Sequence, residues 1–163
     1  MVNHGTWEVH TVDGADVRLR SGKVGLFSVD VTAPVRRGIL RVSASEVYLD
    51  LVLALEHLST GNFLMDRAAK SVITRHQAHD LTYRASGHGS VEPWKVAGHA
   101  VSGDVDVELS VTVTPIGRHD PMAEIELFGS ATMGTVHVPF PGLGTVDDFN
   151  FEVDARLGLL PSG

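Results

Sequence analysis

Apolar and polar side chains alternate along most of this chain with a period of two residues. In residues 104–114 every odd position is Val or Leu, and every even position is Asp, Glu, Ser or Thr. Because successive side chains of a strand point to opposite faces, this pattern predicts a long strand with one dry face and one wet face. Residues 47–56, 123–133 and 149–159 alternate in the same way, and shorter alternating stretches fill most of the remaining chain.

The period changes at one place only. Beyond Asn62, apolar residues fall at the spacing of one helical face, which predicts a short amphipathic helix over residues 65–73. Its apolar positions are Met65, Ala68, Ala69, Val72 and Ile73.

About ten strand segments and one helix predict an all-β fold, an antiparallel β-barrel that closes on itself and so leaves no exposed strand edge. Loops are expected at residues 36–38, 115–121 and 134–148, which contain Gly or Pro, and Gly98 is expected to break a strand. No linker or repeat divides the chain, so residues 1–163 are predicted to form a single domain.

Composition excludes several classes of function. The net charge of −7 disfavours nucleic acid, which requires a basic face. The chain has no cysteine, so disulfides and thiolate chemistry are excluded. The N-terminus shows no signal-peptide pattern, and the longest strictly apolar run is residues 51–55, far too short for a membrane span. We therefore predict a cytoplasmic protein.

The barrel interior is either packed solid or holds a ligand, and composition leaves both alternatives open. Small residues on the predicted dry faces favour a cavity, since a barrel of about eight strands has just enough interior for one small ligand. They are Ala85, Ala123, Gly129, Ala131 and Ala155. A packed barrel that serves only as an interaction module is the alternative.

Three stretches together resemble the YceI-like family: residues 49–87, the strand 104–114 and the terminal strand FNFEVDARLGL of residues 149–159. Thr60, Asn62 and Asp66 stand where the family's post-strand motif has its Thr, Asn and Asp. The resemblance covers the chain from about Gly38 onward. It implies a lipocalin-like antiparallel barrel that holds a polyisoprenoid or a fatty-acyl lipid in an apolar lumen.

The function that this resemblance implies is binding, with transport or storage, and without catalysis or a cofactor. It also suggests a homodimer. Contact with a membrane is expected to be transient at most. The residues predicted to line the lumen are Leu51, Leu53, Leu81, Tyr83, Leu109, Val111, Leu127, Gly129, Phe151 and Val153.

A buried ligand needs an entrance, and two segments are candidate lids. One is the helix, through Met65, Ala69 and Val72. The other is the loop 134–148, where Phe140 and Leu143 stand among residues that form turns.

The alternative hypothesis is a metal-dependent enzyme that uses His76 and His79. Two histidines three residues apart can share a metal ion if the helix continues through them, but not on an extended chain. No zinc-protease, phosphate-loop or nucleophile-elbow motif accompanies them, so a cationic helix end and a surface turn are the favoured interpretation.

Overall fold

A computed structural model describes residues 4–11, 16–24, 27–59, 66–67, 70, 79–89, 91–103, 105–119, 121–137 and 145–162. They form ten β-strands. The strands are β1 (Gly5–Thr11), β2 (Val17–Val24), β3 (Phe27–Ala33), β4 (Val35–Val42), β5 (Val47–Ala54), β6 (Asp80–Gly87), β7 (Trp94–Ser102), β8 (Val105–His119), β9 (Met122–His137) and β10 (Thr145–Pro161). A single 3-10 turn, Leu55–His57, follows β5.

The sheet closes as an eight-strand antiparallel barrel, because β1 pairs with β4 on one side and with β10 on the other. β1 and β2 both pair with β10, one after the other along its length. On their other edge, β1 pairs with β4 and β2 pairs with β3. The first four strands therefore act as two long, interrupted strands. The predicted all-β, lipocalin-like barrel is confirmed.

Pro34 accounts for one of the interruptions. It has no N–H to donate to a strand neighbour, so β3 ends at Ala33 and β4 begins at Val35. Its carbonyl still accepts a hydrogen bond from the Ala54 N–H at 2.9 Å, which keeps the two pieces in line beside β5.

Several predicted strand boundaries are wrong, because the strands continue through residues that were expected to end them. Residues 36–38 lie within β4, and β8 passes through Pro115 with a change of register before Gly117. β9 and β10 continue so far that only residues 138–144 lie between them. β7 runs through Gly98 unbroken, because a β carbon there would collide with the Arg84 carbonyl of β6 and only glycine permits the close approach.

The interior of the barrel has two different halves. The half nearer the chain ends is packed solid, and both tryptophans lie in it. The indole N–H of Trp94 donates to the Gly89 carbonyl at 3.3 Å. The side chains with almost no solvent exposure in this closed half are Leu40, Val47, Leu49, Val96, Val113, Ile125, Leu157 and Leu159.

Little of the predicted helix is described. Asp66, Arg67 and Lys70 are helical, whereas Met65, Ala69 and Val72 lie outside the described residues. Within the described part of the chain, no helix has the length and apolar character that crossing a bilayer demands.

Candidate ligand-binding lumen

The other half of the barrel encloses a cavity of about 230 Å³, which we call the lumen. Eight strands, the 3-10 turn and the residue after it contribute to its wall. The lining residues are Val17, Leu19, Val31, Ala33, Leu51, Leu53, Leu55, Leu58, Leu81, Tyr83, Ala100, Ser102, Val107, Leu109, Val111, Leu127, Phe151 and Val153. All are apolar except two hydroxyl-bearing side chains, Tyr83 and Ser102.

Both hydroxyl groups donate to backbone carbonyls. The Tyr83 hydroxyl spans β7 from within the barrel and donates to the Leu109 carbonyl of β8 at 2.7 Å. The Ser102 hydroxyl donates to the Asp80 carbonyl at 3.1 Å. Burial raises the pKa of Tyr83 to about 12, so its phenol stays protonated and keeps this bond at neutral pH. Among the described lining residues, no side-chain proton is left to bind a polar ligand group.

Residues 55–59 continue the wall of the lumen beyond β5, and Leu55 and Leu58 line the cavity. Ser59 and Thr32 of β3 exchange backbone hydrogen bonds of 2.8 and 2.9 Å. The Leu55 N–H donates to the His79 carbonyl at 2.9 Å. The segment 55–59 is thus fastened in the wall between β3 and β6.

An ion-pair network lies on the outer surface of the segment 55–59. The Arg36 guanidinium of β4 contacts the Glu56 carboxylate, and its Nε lies 3.0 Å from Asp80 Oδ1 at the start of β6. The hydrogen bond from Arg36 holds the pKa of Glu56 below its ordinary value. Because all three groups are exposed, the network orients this segment more than it stabilises the fold.

The structure places nine of the ten predicted lumen residues around the cavity. The tenth, Gly129, lies on the inner face of β9 between Val111 and Val153, but it has no side chain to present. A β carbon there would lie 2.9 Å from Val111 Cγ2 and 2.7 Å from the Ser110 carbonyl. Gly129 therefore brings β8 and β9 together rather than lining the wall.

The small residues expected to create the cavity are not among those that line it. None of the five lines the lumen, and Ala85, Ala123 and Ala155 belong to the packed core that includes both tryptophans. The small residues that do line the lumen are Ala33, Ala100 and Ser102. The last two were obscured by the expectation that β7 breaks at Gly98.

Both candidate lids belong to connections that leave the hollow end. The segment 60–78 joins the 3-10 turn to β6, and the segment 138–144 joins β9 to β10. Phe140 and Leu143, like the apolar face of the predicted helix, lie outside the described residues. The lining residue Leu58 had no signal in the sequence, whereas Leu55 continues the alternation of β5.

His79 is exposed at the edge of β6, and its carbonyl is the acceptor for the Leu55 N–H. His76 lies outside the described residues. Within the described ranges, no group of three or more His, Asp or Glu side chains is placed to hold a metal ion.

We expect neither Zn²⁺ nor EDTA to change the melting temperature of the parent protein, or of the double variant His76→Gln with His79→Gln. A metal ion that binds only the folded state would raise the melting temperature, and EDTA would then lower it. A parent protein that loses melting temperature in EDTA, beside an insensitive double variant, would favour the metal-site hypothesis instead.

The fold and the cavity define a class of protein: a closed antiparallel barrel, solid at one end, with an apolar lumen at the other. Neither a protein-family model nor a curated protein sequence matches the chain significantly. Among solved structures, it is similar to the crystal structure of BcnA from Burkholderia cenocepacia, at 10% identity and a TM-score of 0.63, covering 91% of this chain and 98% of that one.

It is also similar to a polyisoprenoid-binding domain from Saccharophagus degradans implicated in plant cell wall breakdown. That similarity has 14% identity and a TM-score of 0.51, and covers 98% of this chain and 100% of that one. At these identities the two similarities show a shared fold, and it is the lipocalin-like barrel that the resemblance to the YceI-like family implies.

Proposed function

We propose that this barrel binds the hydrocarbon chain of a long-chain amphiphile, a polyisoprenoid or a fatty-acyl lipid, and catalyses no reaction on it. The observation that carries the proposal is the lumen itself, whose wall is apolar and whose two hydroxyl protons are already bound by backbone carbonyls. A hydrocarbon loses nothing by entering such a space, whereas a polar group would lose its hydrogen bonds to water. The head group therefore stays outside.

The lumen alone is too small to give tight binding of a hydrocarbon chain. A cavity of about 230 Å³ accepts roughly eight groups the size of a water molecule, at about 30 Å³ each. Burying eight methylenes contributes about 6 kcal/mol. Association alone costs about 4–15 kcal/mol. Tight binding thus requires a chain that continues beyond the described cavity and buries more of its length against the protein.

The polyisoprenoid-binding domain with this fold supports an isoprenoid as one candidate ligand. Transport or storage of the lipid is the role we propose for such binding, because nothing in the described lumen is arranged to attack a bound chain. A cytoplasmic location, a homodimer and transient membrane contact stay predictions.

Titration of the delipidated protein with a dansyl-labelled farnesol tests the proposal, because the fluorescence anisotropy of the dansyl group rises when the protein holds the probe. We expect saturable binding of one probe per barrel, displaced by unlabelled geranylgeraniol or palmitate. Folded protein that leaves the anisotropy unchanged would contradict the proposal.

A further inference from the structure

The wall of the barrel is not continuous at its hollow end. The ladder between β8 and β9 runs from the pair His119–Met122 to the pair Ser110–Ser130 and ends there. Residues 105–109 of β8 and residues 131–137 of β9 are both described strand, yet no pair joins them. A slit therefore separates β8 from β9 beside the lumen.

The strands beyond the slit form an arm, which we define as residues 133–137 of β9 and 145–149 of β10. They pair with each other, from Phe149–Met133 to Thr145–His137. On the other edge, β10 pairs with β2 only from Phe151–Ser21 onward. In the described strands, neither outer edge of the arm is held by a neighbouring strand.

The slit contrasts with the wall between β3 and β6. There the segment 55–59 is fastened by the Thr32–Ser59 hydrogen bonds, by the bond between Leu55 and His79, and by the Arg36 network. Opening the wall at that place would break all of these, whereas opening the slit breaks no described strand pair. Because backbone hydrogen bonds resist separation, the slit is the easier place for the wall to open.

The composition around the arm indicates which of its two edges is the entrance. Beside the β8–β9 slit, the first residue of β9 on the inner face beyond the last pair is Ala131, whose small side chain leaves the passage thinly walled. Beside β2, the bulky Phe151 faces the lumen and closes the equivalent position. β8 itself is tied back to β7, where His99 Nδ1 lies 2.7 Å from Asp106 Oδ1.

We propose that the lipid enters and leaves sideways, through the slit between β8 and β9, with the β9–β10 arm moving as the flap. This inference rests on the proposed lipid-binding function. The chain slides in between Leu109 and Ala131 while the head group stays on the outer surface. Phe128, which is 48% exposed on the outer face of β9, supplies an apolar surface just beside the opening.

A reversible cross-link tests the portal, and the absence of native cysteine makes any disulfide unambiguous. The test variant carries Glu108→Cys with Thr132→Cys, the pair that would form if the ladder continued by two residues. The matched control carries Ser110→Cys with Ser130→Cys, which fastens the last existing pair on the same outer face. A short bismaleimide bridges the test pair if the disulfide does not form.

The readouts are the association and dissociation rates and the equilibrium affinity for dansyl-labelled farnesol. We expect the bridged test variant to exchange the probe slower by about tenfold or more in both directions, with an unchanged equilibrium affinity. Reduction of the disulfide restores the rate, and the oxidised control exchanges like the parent.

Exchange at the parent's rate in the bridged test variant would overturn the portal. A parent protein that never binds the probe would instead overturn the proposed function, so the two failures are distinguishable.

Discussion

Leu109→Asp is expected to abolish lipid binding or to unfold the protein. The Leu109 side chain is 7% exposed and lines the lumen among aliphatic neighbours, where a carboxylate finds no cation. An uncompensated buried charge costs several kcal/mol, against a total stability of about 5–15 kcal/mol for a typical domain. Probe titration and chemical denaturation, each run on the same preparation, measure the two losses.

Two controls make this result specific. Leu109→Met keeps the volume of the side chain, so it should lower stability by less than about 1.5 kcal/mol and retain binding. Glu108→Ala alters the adjacent residue, which is exposed on the outer face, and should change neither quantity. If Leu109→Asp were tolerated and Glu108→Ala were damaging, the register of β8 would be wrong.

Leu49→Ala and Leu53→Ala are expected to differ, although both residues lie on the inner face of β5. Leu49 is fully buried in the closed half, whereas Leu53 is 9% exposed and borders the lumen. Truncating Leu49 leaves a new void in close packing and should cost about 3–5 kcal/mol in the free energy of unfolding. Leu53 already faces a void, so its truncation should cost about 2 kcal/mol, at the low end of that series.

Lipid binding should respond in the opposite order. Leu53→Ala changes the size of the lumen and therefore the affinity for dansyl-labelled farnesol, whereas Leu49→Ala leaves the affinity unchanged while the protein stays folded. Equal losses of stability, together with equal effects on binding, would show that the interior is not divided into a solid and a hollow half.

The alternation of side chains predicts the barrel well because a strand with one buried face has little freedom in its register. Leu109, Val111, Phe151 and Val153 were assigned to the interior on that basis, and the structure places all four around the lumen. Strand ends were harder to predict. Pro and Gly usually indicate turns, but a strand tolerates them where it bends or where the backbone of a neighbouring strand comes very close. Pro115 and Gly98 are the two clearest cases.

The location of the cavity could not be predicted from the sequence. A cavity forms where the side chains at one height of the barrel have a smaller total volume than the interior. Which side chains lie at the same height depends on how strands that are distant in the sequence pair with each other. Ala85, Ala123 and Ala155 are small, yet they lie in the half that contains Trp7 and Trp94. The slit between β8 and β9 is equally a property of pairing, because both strands alternate normally on either side of Ser110 and Ser130.

The central claim is that the lumen holds a hydrocarbon chain. Native mass spectrometry of the purified protein, followed by extraction and analysis of the released lipid, tests it most directly. We expect a bound apolar mass that survives desalting, is removed by organic solvent, and is missing from the Leu109→Asp variant if that variant folds. Protein purified at the mass of the bare chain, and still bare after incubation with isoprenoid or acyl lipids, would contradict it.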